Sequence, residues 1–107
     1  MLIVAGTMIV EPEGLAALRE IVGPHKQKTE AEAGSVLFSL GVADEKTGEV
    51  TVLEIWRDED ALRGHHGQPH TAYFLERVGP YITSMDLTLY DTVNERPLPP
   101  LETLASQ

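Results

Sequence analysis

Cysteine is absent from the 107-residue chain. That removes disulfides, thiolate nucleophiles and the usual thiolate zinc sites, and leaves packing and association to hold the fold. Basic residues are scarce: eight Lys and Arg stand against seventeen Asp and Glu, a formal charge of −9. Such a field repels polyphosphate, so neither nucleic acid nor an anionic membrane surface is an expected partner. No apolar run approaches the roughly 20 residues of a membrane-spanning helix. The opening MLIVAGTMIVEPEG is apolar, but no basic stretch precedes it and Glu11 comes early. It does not read as a secretory signal, and a cytoplasmic location is the expectation. A glycine-rich phosphate loop, an internal repeat and a low-complexity tract are also missing, so no nucleotide cofactor is implied. The hydrophobic share of 42% is ordinary for a folded protein, and the length suits one domain rather than two.

Hydrophobic patterning sets the order of elements. Leu2 to Val10 is an almost unbroken apolar run, β-branched at Ile3, Val4, Ile9 and Val10 and ended by Pro12, which predicts a buried strand. Leu15, Leu18 and Val22 recur at helical spacing, and Gly23-Pro24 is expected to interrupt that helix. The polar stretch from there to Glu32 reads as a helical turn or a loop. Val36, Phe38, Leu40 and Val42 alternate with Leu37, Ser39 and Gly41, a period of two that predicts a strand. A polar turn ending near Gly48 leads into a second such run, Val50 to Trp56, and the two should form a hairpin. Asp58 suits the cap of a short helix through Arg63, with Glu59 and Asp60 where the macrodipole favours acids. Pro69 fits the start of another helix with Phe74, Leu75 and Val78 inward, ended by Gly79-Pro80. Met85, Leu87 and Leu89 then alternate with Asp86, Thr88 and Tyr90 in a last strand.

The order β-α-β-β-α-β, with its second helix broken in two, is the ferredoxin-like α+β pattern. It predicts a four-stranded antiparallel sheet with helices over one face. The third strand is apolar on both sides, Val52 and Trp56 on one and Leu53 and Ile55 on the other. Helices hide one face only, so a second copy is expected to cover the other, making a homodimer. Residues 1–95 are expected to form this domain and residues 96–107 a C-terminal arm. Pro97, Pro99 and Pro100 favour an extended arm, and Leu98, Leu101 and Leu104 are expected to lie across the partner subunit.

Chemistry-bearing residues gather between Glu54 and Phe74. His65 stands four residues after Ala61, and His70 four before Phe74, so both imidazoles turn toward the apolar interior. Imidazole titrates near neutrality and suits a general base. Trp56, Phe38, Tyr73 and Phe74 could supply a flat apolar wall for an aromatic ring. Each has a plainer reading: the histidines as capping or packing residues, Phe38 and Tyr73 as core, Trp56 as core or interface. His66 falls on another face and is expected to be solvated, as are Arg57-Asp58 and the Glu30/Glu32 pair. His25, directly after Gly-Pro, could line the mouth of a pocket. His65, His66 and His70 with Asp58 or Glu59 superficially suggest a metal site. No His pair has i, i+4 spacing on one uninterrupted helix, since Gly67 and Pro69 intervene, so neither a metal nor another cofactor is expected.

A strand ending in Glu54-x-Trp56, an acidic turn, Ala61-Leu62, His65 and Pro69-His70 ahead of Phe74 resembles the signature of the antibiotic biosynthesis monooxygenase (ABM) family. The element order extends the resemblance over residues 2–93. It implies a dimeric α+β barrel. Relatives of this kind include cofactor-independent oxygenases of quinols and polyketide aromatics, haem-degrading enzymes, isomerases of small sugar phosphates and proteins of no established activity. The expectation is a cofactor-independent monooxygenase acting on a small aromatic, quinol or polyketide-like substrate, with His65 or His70 as base. Deprotonating a phenol yields an anion able to pass an electron to O₂, which is how an oxygenase can dispense with metal and flavin. The alternative is a non-catalytic ligand-binding or accessory dimer. Haem-degrading relatives use an Asn in the first strand and an iron-ligating His in the second main helix. Here Trp56 matches, but the first strand offers Thr7 and residues 71–78 hold no His, so haem binding is the weaker expectation.

Overall fold

The computed structural model describes residues 1–105, with side chains through residue 103. Strand β1 (Leu2–Val10) lies inside a four-stranded sheet. It pairs antiparallel with β3 (Glu49–Trp56) on one edge and β4 (Ile82–Asp91) on the other. β2 (Ser35–Asp44) pairs antiparallel with β3, giving the order β2-β3-β1-β4. Helices α1 (Pro12–Glu30), α2 (Glu59–His66) and α3 (Pro69–Val78) complete the expected ferredoxin-like order, and a single 3₁₀ turn (Gly79–Tyr81) leads into β4.

Strand alternation decides what is buried. Met8, Val10, Val50 and Val52 share the helix-facing side and pack with Leu15, Leu18, Ile21, Phe74 and Val78 in one core. Removing each such side chain from water contributes about 1.5–3 kcal/mol. The opposite side presents Ile3, Ala5, Leu53 and Ile55, paired as Ile3 with Ile55 and Ala5 with Leu53 across β1 and β3, all partly exposed. The sheet therefore does have two apolar faces, and its own helices shelter one.

Three details depart from the sequence-based expectations; the plainest is Leu75, expected inward on α3 but 53% exposed, one position off the Phe74–Val78 stripe. Gly23-Pro24 does not end α1, which runs unbroken to Glu30 with Pro24 inside it. The inward stripe continues past the proline through His25 and Thr29, both buried, while Gly23 and Pro24 lie exposed. The hydrogen bond that proline forfeits thus falls on the solvated side of the helix. In β2 the register slips between Ser35 and Leu37, so Val36 is 50% exposed while Phe38 is buried. A bulge there takes Val36 out of the alternation.

The segment after β4 is tied to the chain start: the Met1 amino group donates to the Thr92 carbonyl and pairs with Glu95. Beyond it, Leu98 and Leu101 are exposed, and α4 (Leu101–Ala105) is a single short helix. Leu104, expected on the arm's contact face, falls outside the described side chains.

Candidate active site

The turn between α1 and β2 does what the sequence reading missed. Gly34 takes φ +84°, a left-handed conformation that only glycine adopts without cost. Its carbonyl accepts the backbone N–H of Arg57, which fastens the turn to the end of β3. This aims Glu32, expected on the surface, inward: its side chain is 9% exposed.

Glu32 meets both predicted histidines. Its Oε2 lies 2.7 Å from His65 Nδ1 and 2.9 Å from His70 Nε2. A carboxylate oxygen accepts, so both ring nitrogens donate: His65 carries its proton on Nδ1 and His70 on Nε2. His65 is pinned further by Thr71, whose hydroxyl donates to the His65 carbonyl at 2.7 Å. The Thr29 hydroxyl stands 3.4 Å from His70 Nε2. His65 ends up at the C-terminal turn of α2 and His70 at the start of α3, and Gly67 bends the chain between them.

The remaining sequence candidates fall into distinct places. Trp56 is fully buried beneath His65, with ring centroids 4.9 Å apart. Its indole N–H is committed to Glu54 at 2.9 Å. It backs the imidazole instead of lining a cavity. Phe38 and Phe74 are buried and line an inner hollow of about 230 Å³ between sheet and helices, with Met8, Val52, Leu87 and His65. Tyr73 is half exposed, and its hydroxyl accepts from Arg77. It sits with His70 on a second cleft of about 240 Å³ between α1 and α3. His65 and His70 therefore look into different spaces while sharing one carboxylate. His66 is exposed, as its helical position predicts.

His25 lies where the two hollows meet and lines both. Its ring stands 4.6 Å from that of Phe74 and 5.3 Å from that of His70. Its Nδ1 is buried with no hydrogen-bond partner among the described residues. Burial, with His65 and His70 adding to it, pushes this imidazole down to about 4, so it is neutral at pH 7. Helical spacing could have found it: Ile21, His25 and Thr29 recur every four residues, and Glu32 follows three later.

The nitrogen of His65 that faces away from Glu32, Nε2, has no hydrogen-bond partner among the described residues and bears a lone pair. His65 belongs to the wall of the inner hollow. The arrangement is a carboxylate-oriented imidazole beside a small apolar space, the composition of a general base with its positioning group.

Fold and site together define a ferredoxin-like α+β domain with a buried glutamate–histidine pair beside an apolar pocket. The model of the antibiotic biosynthesis monooxygenase family matches residues 1–77, and the chain belongs to that family. Solved structures agree. Rv0793 from Mycobacterium tuberculosis is 26% identical, with a TM-score of 0.74 and coverage of 90% of this chain and 98% of that one. An antibiotic biosynthesis monooxygenase superposes with a TM-score of 0.75 at 22% identity, covering 88% of this chain and all of its own. PA3566 from Pseudomonas aeruginosa gives 0.73 at 20% identity, covering 87% of this chain and 94% of its own. A comparison with functionally curated proteins finds no match. No described helix is long and apolar enough to cross a membrane.

Proposed function

We propose that the protein is a cofactor-independent monooxygenase acting on a small hydroxylated aromatic, with His65 as general base. The observation that carries this reading is the Glu32–His65 pair: Nδ1 held by a carboxylate 2.7 Å away, Nε2 without a hydrogen-bond partner among the described residues, on a ring that belongs to the wall of the inner hollow. The hollow, about 230 Å³, is at the small end for ligand pockets and suits a compact fused-ring phenol or quinol. Phe38 and Phe74 offer such a ring flat apolar walls.

His65 Nε2 takes one proton from the activated CH₂ of the ring system, giving a phenolate-stabilised carbanion, and Glu32 stabilises the imidazolium that forms. The anion passes an electron to O₂, and the radical and superoxide combine at that carbon as R₂CH–OO⁻, which the imidazolium protonates to the hydroperoxide. The regenerated imidazole takes the remaining C–H proton as the O–O bond breaks to expel hydroxide. The imidazolium returns that proton to the hydroxide, so that R₂CH₂ and O₂ become R₂C=O and water. His70 fixes the carboxylate from the other side and is a positioning residue in this scheme. The open sheet face of Ile3, Ala5, Leu53 and Ile55 is covered by a second copy, which makes the working unit a homodimer.

Oxygen uptake on a panel of anthrones and quinols, with ¹⁸O₂ incorporation read by mass spectrometry, tests the reading. His65→Ala should lose about 10²- to 10⁴-fold of the parent rate. A variant as fast as the parent removes His65 as base; a parent inactive across the panel favours the non-catalytic alternative.

A further inference from the structure

We propose that Glu32, His65 and His70 form a binding site for a divalent transition-metal ion of the zinc type, and that the bound ion switches the base off. Glu32 Oε2, His65 Nδ1 and His70 Nε2 all lie within 4.8 Å of one another. Their side chains are 9%, 5% and 10% exposed, so this is a buried, convergent donor set and not a surface accident. Two imidazoles and one carboxylate suit Zn²⁺, Co²⁺ or Ni²⁺ and are poor ligands for Mg²⁺ or Ca²⁺, which want oxygen. Ligands about 2.1 Å from a tetrahedral ion stand roughly 3.4 Å apart. The two imidazoles, now at 2.7 and 2.9 Å from Glu32, need to withdraw by about 0.7 and 0.5 Å to reach that separation. A neutral histidine can present either nitrogen, so binding requires a change of tautomer but no loss of a proton.

The second observation is a way in. Glu32 also lines an outer cleft of about 390 Å³ whose other walls include Asp58, Asp60, Arg57 and Gln68. Asp58 and Asp60 are exposed, and Arg57 is engaged by Asp58 at 3.5 Å. Asp60 is paired in turn with Arg63 at 2.7 Å, so the net charge of −9, more than the cleft's own acids, draws a cation toward the carboxylate.

The consequence follows from the ring. A metal on Nδ1 forces the proton of His65 onto Nε2, so the nitrogen facing the inner hollow becomes a donor and cannot accept. Binding stands on the donor geometry alone; the inhibition rests on the oxygenase reading above.

The experiment uses tag-free protein freed of metal with EDTA, titrated with Co²⁺ by visible absorption and with Zn²⁺ by calorimetry. One equivalent per chain should bind, and added Zn²⁺ should move the ¹⁵N resonances of His65 and His70 to the opposite tautomer. Affinity should fall about 10- to 100-fold in Glu32→Gln and His70→Gln, and stay unchanged in the exposed His66→Gln. Circular dichroism confirms that each variant is folded, and the parent ¹⁵N spectrum supplies a readout that needs no variant. Absence of stoichiometric binding, or binding lost only in His66→Gln, overturns the site. If the parent oxidises quinols and one equivalent of Zn²⁺ leaves the rate unchanged, the switch is overturned while the site stands. If the parent oxidises nothing, the titration still decides the site.

Discussion

His65 Nδ1 lies 2.7 Å from Glu32 Oε2, although 33 residues separate them in the chain. The contact fixes the proton on one side of the ring and leaves the other side free. Replacing Glu32 by Gln keeps the size and removes one acceptor, so an amide N–H₂ must face one of the two imidazole N–H groups. We expect ¹⁵N spectra to show at least one of the two histidines changing tautomer. The clash of buried donors should cost about 1–3 kcal/mol in urea unfolding. On an oxidised substrate, kcat should fall more than KM rises, because orientation of the base is needed only as the proton moves. Unchanged tautomers in Glu32→Gln would contradict the pairing itself.

His25 provides the pH dependence. Its folded-state pKa of about 4 lies below the ordinary 6.5, so the unfolded chain binds the proton more readily. The stability tied to its neutral form is therefore complete above pH 6.5, declines as pH falls through 6.5, and is gone below about 4. The groups facing it are His65, His70 and Glu32, with Glu20 and Lys28 on the cleft between α1 and α3. Urea unfolding between pH 7 and 4, with EDTA present, should show a steeper acid limb in the parent than in His25→Leu. Parallel limbs would mean that the ring is hydrated or already paired.

Trp56 tests the support beneath the base. The side chain is fully buried, and its N–H satisfies Glu54. Trp56→Ala should cost about 3–5 kcal/mol. For a domain of this size that corresponds to a Tm lower by roughly 15 °C or more. Trp56→Phe keeps much of the packing but strands the Glu54 carboxylate, and should cost about 1–3 kcal/mol. Differential scanning calorimetry checks both, and a Trp56→Ala protein as stable as the parent would remove the indole from the core.

Gly34 joins backbone geometry to the site. A Cβ there would stand 2.5 Å from that of Ala61, at φ +84°. Gly34→Ala should cost about 1–3 kcal/mol and displace Glu32 from the two histidines. Adding Ala61→Gly relieves the clash but not the dihedral strain, so the double variant should recover only part of the loss. Full recovery would show that crowding alone requires the glycine.

The fold was legible because its signals are local and periodic. Alternation marks β2, β3 and β4, the β-branched run marks β1, and Asp58 caps α2 as read, its carboxylate accepting the Ala61 N–H at 2.9 Å. The inward turn of His65 and His70 followed from spacing against Ala61 and Phe74. Glu32 was not legible, because its burial depends on a left-handed turn at Gly34 and on partners more than 30 residues away. Thr29 was hidden for another reason: a polar residue on a helical stripe does not register as part of it, and Pro24 drew the helix boundary too early, which left His25, read as lining a pocket's mouth, without its place on that stripe. Tyr73 shows the reverse error, an aromatic expected inside that ends half exposed because it lies one position off the Phe74–Val78 stripe.

The remaining prediction concerns assembly. Leu53 and Ala5 lie opposite each other on the sheet face that no helix covers. A charge at that point must be desolvated if a second sheet packs there, whereas on a free surface it costs little. Leu53→Lys should therefore convert a dimer into a species of one chain mass, 11.7 kDa, in sedimentation equilibrium, with far-UV circular dichroism retained at low temperature. Leu98 and Leu101, 74% and 72% exposed on the lone chain, belong to the same test. If they lie across the partner, deleting residues 97–107 should lower the Tm of the dimer and make it more dependent on protein concentration. If the deletion leaves the Tm unchanged while Leu53→Lys still dissociates the dimer, the sheets meet without the arm. A parent chain that sediments as a monomer at micromolar concentration would contradict both.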